Sequence, residues 1–403
     1  MKPHVVVIGG GIVGACIAFE LARHRVADIT LVERAPGPGE GSTGASSSIC
    51  RTRYSHPQVV RLAVDGLRAY RAWSEYLERP VDAHFVETGA LWLAELQGVP
   101  AELERLESAG ATAEILDATD LVSRFPALSA CAGQVDDDHE CADGSAFMFE
   151  PRAGYIDPML ALTDVLAAAA AVGVDVLYSA PVTDLVVRGA AVTGVEVAGH
   201  GRFDADVVVN AAGPWCNRIN DMAGVEHRWT FTPTRIQTVY VPWPEHLGPL
   251  PITIDLFTGV YARPELHSGM VWVGSVAESD EREAVADPDS LARTPSPPFR
   301  DKVLALLQHR IPSFSASGSA GGVAGLYTIN TQDVHPVVGP SGVDGLWLAN
   351  GFSGHGFKLA PMIGSMVARA LGGPAMSFDT EVPMSLFDIA RDPIQVESKS
   401  VLA

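Results

Sequence analysis

Three glycines, Gly9-x-Gly11-x-x-Gly14, stand between a run of β-branched residues, Val5–Ile8, and an apolar stripe, Val13, Ile17 and Leu21, that recurs every four positions. The run reads as a buried parallel strand and the stripe as a helix lying on a sheet. Gly9 permits the tight turn, Gly11 lets backbone approach a pyrophosphate, and Gly14 lets the helix close on the sheet. The free N–H groups at the helix start, around Ile12 and Val13, meet phosphate charge. Ile29–Glu33 reads as a second strand ending on Glu33, nineteen residues past Gly14. A carboxylate there accepts from a ribose 2′-OH and repels a 2′-phosphate, which disfavours NADP. The same glycines without strand, helix and acid would be a plain turn.

The rest of the chain alternates in type. Gly37–Ser48 reads as a loop, Pro57–Leu77 as a long amphipathic helix, Phe85–Leu93 as strand, and Pro100–Phe125 as mostly helical. Leu160–Val172 is an alanine-rich helix, Val182–Val197 a hairpin, and Val207–Asn210 a buried strand running into Ala211-Ala212-Gly213-Pro214-Trp215. Arg228–Val276 has the alternation of an antiparallel sheet, and Pro288–Pro298 reads as a linker. Leu346–Asn350 is a last buried strand and Pro361–Leu371 a last helix, with Pro361 placed in its first turn. Parallel-type strands at both ends and in the middle predict an α/β plus α+β chain. A Rossmann-like nucleotide domain is expected from segments 1–80, 150–220 and 325–390. An antiparallel-sheet substrate domain is expected from 81–149 and 221–324, followed by a tail, 391–403.

Charge narrows the partners. Twenty-eight basic residues against 48 acidic ones give a formal charge of −20, a field that repels nucleic acid and anionic lipid. An anionic substrate then needs a local cationic pocket. The five cysteines are scattered, with no C-x-x-C pair, which argues against a disulfide framework or a zinc site and fits a reducing compartment, the cytoplasm by default. Val5–Leu21 is apolar, but four glycines and Glu20 interrupt it, so strand–turn–helix explains it better than a signal sequence, and no other run approaches a membrane span. The acids of Asp136–Glu140 read as a solvated turn, and no metal is assigned.

Gly9–Gly14, Glu33-Arg34, Asn210–Trp215 and Gly351-Phe352-Ser353-Gly354-His355-Gly356-Phe357-Lys358 resemble the FAD-dependent amine and amino-acid oxidoreductases. That family includes D-amino-acid oxidase, glycine oxidase, sarcosine oxidase and dimethylglycine dehydrogenase. The octet 351–358 is most similar to the monomeric sarcosine oxidase group. The resemblance implies FAD held by Gly9, Gly11, Ile12, Val13, Gly14, Glu33, Arg34, Ser46, Ser47, Val182, Ala212, Gly213, Trp215, Gly354, His355, Gly356, Phe357 and Lys358. It implies hydride transfer from the carbon beside nitrogen of a small amine or amino acid.

The resemblance also assigns Arg51 and Lys358 to a substrate carboxylate, with Arg53 the rival of Arg51. Tyr327 either bonds the carboxylate and closes the pocket or is a core tyrosine. His335 and His355 tempt as bases but read as packing residues. Two departures from the family pattern bear on chemistry. The tether positions are empty, since no cysteine stands near Gly325 and no histidine in Gly41–Ser48, so FAD is expected without a covalent link. No lysine occurs between Lys2 and Lys302, and Trp272 aligns where the oxidases place one over the flavin, so oxygen is expected to be a poor acceptor. The electron acceptor is left open. Two alternatives stand beside this function: a tailoring oxidase of a larger secondary-metabolite amine or cyclic imino acid, and a non-catalytic flavin-binding assembly subunit.

Overall fold

The computed structural model describes residues 2–95, 98–131, 145–226, 228–315, 320–396 and 399–402. The acidic turn expected at Asp136–Glu140 lies outside them.

Val5–Val7 are buried because the strand His4–Ile8 runs inside a six-stranded sheet. Its parallel neighbours are Asp28–Val32 and Val207–Asn210, with Val5 opposite Ile29 and Val207. Leu346–Asn350 and Asp175–Leu177 extend the parallel order, and Val337–Pro340 closes one edge antiparallel. The helix Ile12–Arg23 packs on this sheet and against the helices Gly356–Ala370 and Pro158–Ala171. The hairpin expected at Val182–Val197 is present and gains a third strand, Gly201–Asp204.

The second sheet has eight strands. Gly321–Asn330, Phe231–Pro242, Met270–Ser275, Val260–Glu265 and Ile252–Asp255 pair antiparallel in that order. Ala90–Glu95 then joins Ile252–Asp255 in parallel, the one exception to the antiparallel expectation among the described strands. One face carries Val239, Val241, Val271 and Val273 against Phe299, Val303 and Leu307 of the helix Pro297–Arg310. That helix begins inside the expected proline linker. Its stripe at every fourth residue is a helix period, and prolines at a first turn start a helix rather than forbid one.

Three further boundaries move. The strand Gly321–Asn330 stays whole in the second sheet, so the expected division at 325 falls inside it. The segment expected to be mostly helical splits into helices Val99–Ser108 and Ala118–Arg124 around a short strand, Glu114–Leu116. The last helix starts at Gly356, so Pro361 lies in its interior. Proline has no N–H to offer the carbonyl four residues back. That carbonyl, of Phe357, accepts instead from the Tyr70 hydroxyl at 2.6 Å.

Cys16, Cys50 and Cys216 are free and buried. Cys131 is disulfide-bonded, a single bridge rather than the framework the scattered cysteines argue against. Among the described residues, no helix is long and apolar enough to cross a membrane. Glu20, His24 and Asp379 gather closely enough to suggest a metal. Arg23 bonds Glu20, and Ser365 and the Met376 N–H bond Asp379, so the cluster is an ion-pair anchor between the first helix and the loop after the last.

Candidate active site

The glycine turn has the geometry its spacing demands. Gly9 adopts φ +109°, and a methyl group on Gly14 would come within 2.0 Å of the Gly9 carbonyl oxygen. The helix that follows has no side-chain cap at Gly11, and the Ile12 N–H donates to Thr43 Oγ1 at 3.1 Å. Glu33 braces the turn: its two oxygens accept from the Gly10 and Ala35 N–H groups at 2.7 and 2.8 Å. Each oxygen retains acceptor capacity for a ribose hydroxyl.

A cavity of about 880 Å³ runs from this turn to the start of the last helix. Of the residues expected at the cofactor, Gly9, Gly11, Ile12, Val13, Gly14, Glu33, Arg34, Ser46, Val182, Ala212, Gly213, Trp215, Gly354, Gly356 and Phe357 line it, as does Tyr327. Ser47, His355 and Lys358 do not. Thr43, Thr328, Phe352 and Arg293 line it unforeseen. At its rim the Arg34 guanidinium lies 4.7 Å over the Trp215 ring and pairs with Asp289 at 2.8 Å. Both bordering helix starts, at Gly11 and His355, lack a side-chain cap, which leaves N–H donors for anionic groups at two ends of one cavity. Volume, bare glycine backbone and paired donor ends fit a dinucleotide cofactor.

The two expected tether positions face each other. A methyl group on Gly325 would lie 2.5 Å from the Ala45 side chain, and neither residue offers a nucleophile. All FAD is therefore expected in the supernatant after acid precipitation. A pellet that stays yellow through washing would contradict this.

A second group of residues meets beside the cavity. Arg51 is 4% exposed, lies 4.5 Å over the Tyr54 ring, and donates to the carbonyls of Arg53 and Val401, the latter at 2.8 Å. Arg53 points elsewhere, to Glu102 at 2.5 Å. Lys358 is buried close enough for Arg51 to act on its charge, and its Nζ donates to the Gly354 carbonyl at 3.3 Å. Burial, then Arg51, pull its pKa down to about 7, against a small opposing effect of Cys50. Burial, aided by His335, Lys358 and Arg51, holds His355 well below the usual histidine range. Its Nε2 contacts the Val401 carbonyl at 2.9 Å, which requires the neutral tautomer carrying the proton there. Tyr327 is half-buried and within electrostatic reach of Arg51, and it packs on Gly354, where an added methyl would lie 2.7 Å from its ring.

Two further candidates lie outside the cavity, His335 with its ring 5.5 Å from that of His355. His335 is buried, bonded to the Asp333 carbonyl at 2.8 Å, and lowered by burial to about 4. Trp272 does not line the cavity; it packs on Tyr240 at 5.1 Å and under the Arg263 guanidinium at 4.6 Å. Two features had no sequence signal. Glu281, inside the acidic run Glu278–Glu283, is 7% exposed, and burial pushes its carboxyl up to about 8. The segment 399–402 brings Val401 against Arg51, His355 and Glu281.

A FAD-dependent oxidoreductase domain-containing protein 1 from Bos taurus is 28% identical over 91% of this chain and 81% of its own. A monomeric sarcosine oxidase from Streptomyces avermitilis is 26% identical over 96% of this chain and 97% of its own. The crystal structure of L-proline dehydrogenase from P. horikoshii superposes with a TM-score of 0.80 at 25% identity, covering 96% of both chains. The profile of the family described as DAO, FAD dependent oxidoreductase, matches residues 4–370, and the chain belongs to that family.

Proposed function

We propose that this protein oxidises the C–N bond of a small, carboxylate-bearing amine or amino acid to an imine. The observation that carries this is the meeting of two buried cations, Arg51 and Lys358, with Tyr327 and Gly354 at the border of the cofactor cavity. In a chain of net charge −20, such a pair is the local positive pocket an anionic substrate requires. Bound FAD supplies the acceptor for a hydride from the carbon beside nitrogen. Arg51 grips the carboxylate through its planar fork, and Lys358 adds a point charge. Tyr327 closes the wall between substrate and cofactor. The burial of Arg51 and Lys358 excludes water, and with Tyr327 they fix the reacting carbon, so positioning supplies most of the rate. Two relatives carry sarcosine and L-proline in their names, both small amino acids.

One observation favours the larger-amine alternative. A second cavity, of about 410 Å³, lies beside Arg53, Tyr54 and Leu402 and leaves room for a longer substituent. An anaerobic screen of amines and amino acids, read by bleaching of the flavin, tests the function directly. A flavin that none of them bleaches would leave the non-catalytic alternative standing. For location, the three free cysteines fit the cytoplasm expected from the sequence and the bridged Cys131 does not.

Two predictions follow from the cation pair. Arg51→Ala should retain FAD yet lose about 1.5–3 kcal/mol of transition-state stabilisation on a carboxylate substrate. Unchanged kcat/KM would refute the assignment. The second concerns pH. Lys358 is a cation below about pH 7 and neutral above it, and a carboxylate binds the cation. Acetate affinity should therefore be highest below about 7 and fall as pH rises, with Glu281 losing its proton near 8 and pushing the same way. A Kd that stays flat from about pH 6 to about pH 9, read by flavin absorbance, would remove Lys358 from the pocket.

A further inference from the structure

Arg51 and His355 converge on a backbone group of the chain itself. The Val401 carbonyl accepts from Arg51 at 2.8 Å and from His355 at 2.9 Å, while the Val401 N–H donates to Glu281 Oε2 at 3.0 Å. The N–H and C=O of one residue are joined through a single Cα. Three side chains from distant parts of the sequence thus grip one N–Cα–C=O unit, the part common to every α-amino acid. This unit lies against the cofactor cavity. A methyl group on Gly354, which lines that cavity, would come within 2.9 Å of Val401 Cγ1.

Glu281 is the unexplained member of the three. Its acidic neighbours are spent locally: Glu278 pairs with Arg282, and Asp280 with Lys302 and Ser275. Glu281 instead turns inward to 7% exposure, and its Oε1 is buried with no hydrogen-bond partner among the described residues. An unpaired buried carboxyl oxygen is costly. A backbone N–H brings one proton to this carboxyl, whereas an amine or ammonium brings two or three and can satisfy both oxygens.

We infer that Glu281 is the amine-recognising residue of the substrate site, set opposite Arg51 and His355 so that the three read the N–Cα–C=O unit of an α-amino acid, with Val401 holding that place until substrate displaces it. The inference rests on the function proposed above. It supplies what the cation pair lacks, a reason for this pocket to select amino acids over simple carboxylic acids. Burial raises the Glu281 carboxyl, with Asp280 and Glu278 adding to it, whereas the Val401 N–H and Arg51 oppose the shift. An arriving ammonium favours the ionised form in the same way.

Glu281→Gln in the FAD-bound protein is the test, because it removes the charge and keeps the shape. For the best amino acid found in the anaerobic screen, kcat/KM should fall by about ten- to hundredfold. The Kd of acetate, which has no amine, should stay the same or tighten, because a negative charge has left the pocket; flavin absorbance reads it independently of turnover. Glu281→Asp, which keeps the carboxylate, should recover part of the lost kcat/KM. Unchanged kcat/KM in the Gln variant, or equal weakening of both ligands, overturns the inference while leaving the proposed function intact. A wild-type flavin that no amine or amino acid reduces overturns both, and that result appears before any variant is made.

Discussion

Gly14→Val should be purified colourless, or should lose its flavin on the first desalting column. The first atom of any side chain at this position would sit 2.0 Å from the Gly9 carbonyl oxygen, which is backbone and cannot rotate aside. Either the helix start lifts from the strand or the turn opens. Both changes move the N–H groups of Gly11 and Val13, which border the cavity, and the Ile12 N–H that Thr43 holds. Overpacking of this kind costs about 1–3 kcal/mol even where neighbours can yield. Spent on cofactor geometry, that is roughly a ten- to hundredfold loss in FAD affinity, and more where backbone is the obstacle. Gly37→Ala is the control. It lies in the loop beyond the second strand, a methyl there meets nothing within 4 Å, and it should keep its colour. Full flavin content in the Gly14 variant, after gel filtration and at unchanged helicity, would show that the turn does not hold the cofactor.

The legible and illegible parts of this chain differ in the reach of the interactions that set them. The strands Val207–Asn210 and Leu346–Asn350 have the limits read from sequence, because a strand buried on both faces writes itself as a continuous apolar run. The glycine turn is nearly as local, since Gly14 is held by the Gly9 carbonyl and both by Ala211, just past the neighbouring strand, while Gly11 alone meets a loop residue, Thr43. The choice between Arg51 and Arg53 is different in kind. The two stand two residues apart, and what separates them is Glu102, which draws Arg53 away. Glu281 was illegible for a related reason. A run of acids reads as a solvated turn, and only the fold shows that one of them faces inward. The helix Pro297–Arg310 is legible in principle: Phe299, Val303 and Leu307 carry its period, but the prolines before them read as a linker.

Removing residues 399–402 should tighten the binding of amino-acid substrates. Those residues occupy, through Val401, the hydrogen-bonding groups that a substrate would need, so substrate and segment compete for Arg51, His355 and Glu281. Ligand affinity is reduced in proportion to the fraction of molecules in which the site stands open. Three hydrogen bonds, all to charged or ionisable groups, contribute about 1 kcal/mol each or somewhat more. Packing of Val401 and Leu402 on the core adds to this, and the backbone freedom lost on ordering the segment, about 1–2 kcal/mol per residue, takes back most of it. A net closure of about 1.5 kcal/mol would leave roughly one site in ten open. The shortened chain should therefore show KM for its amino acid lower by about that factor, with kcat under saturating substrate little changed. Acetate should tighten as well, because it needs the Arg51 donor that the Val401 carbonyl now holds. The opposite sign is equally informative. If the deletion raises KM and lowers kcat together, the segment belongs to the wall of the working site and closes over bound substrate, and Val401 is no stand-in for it.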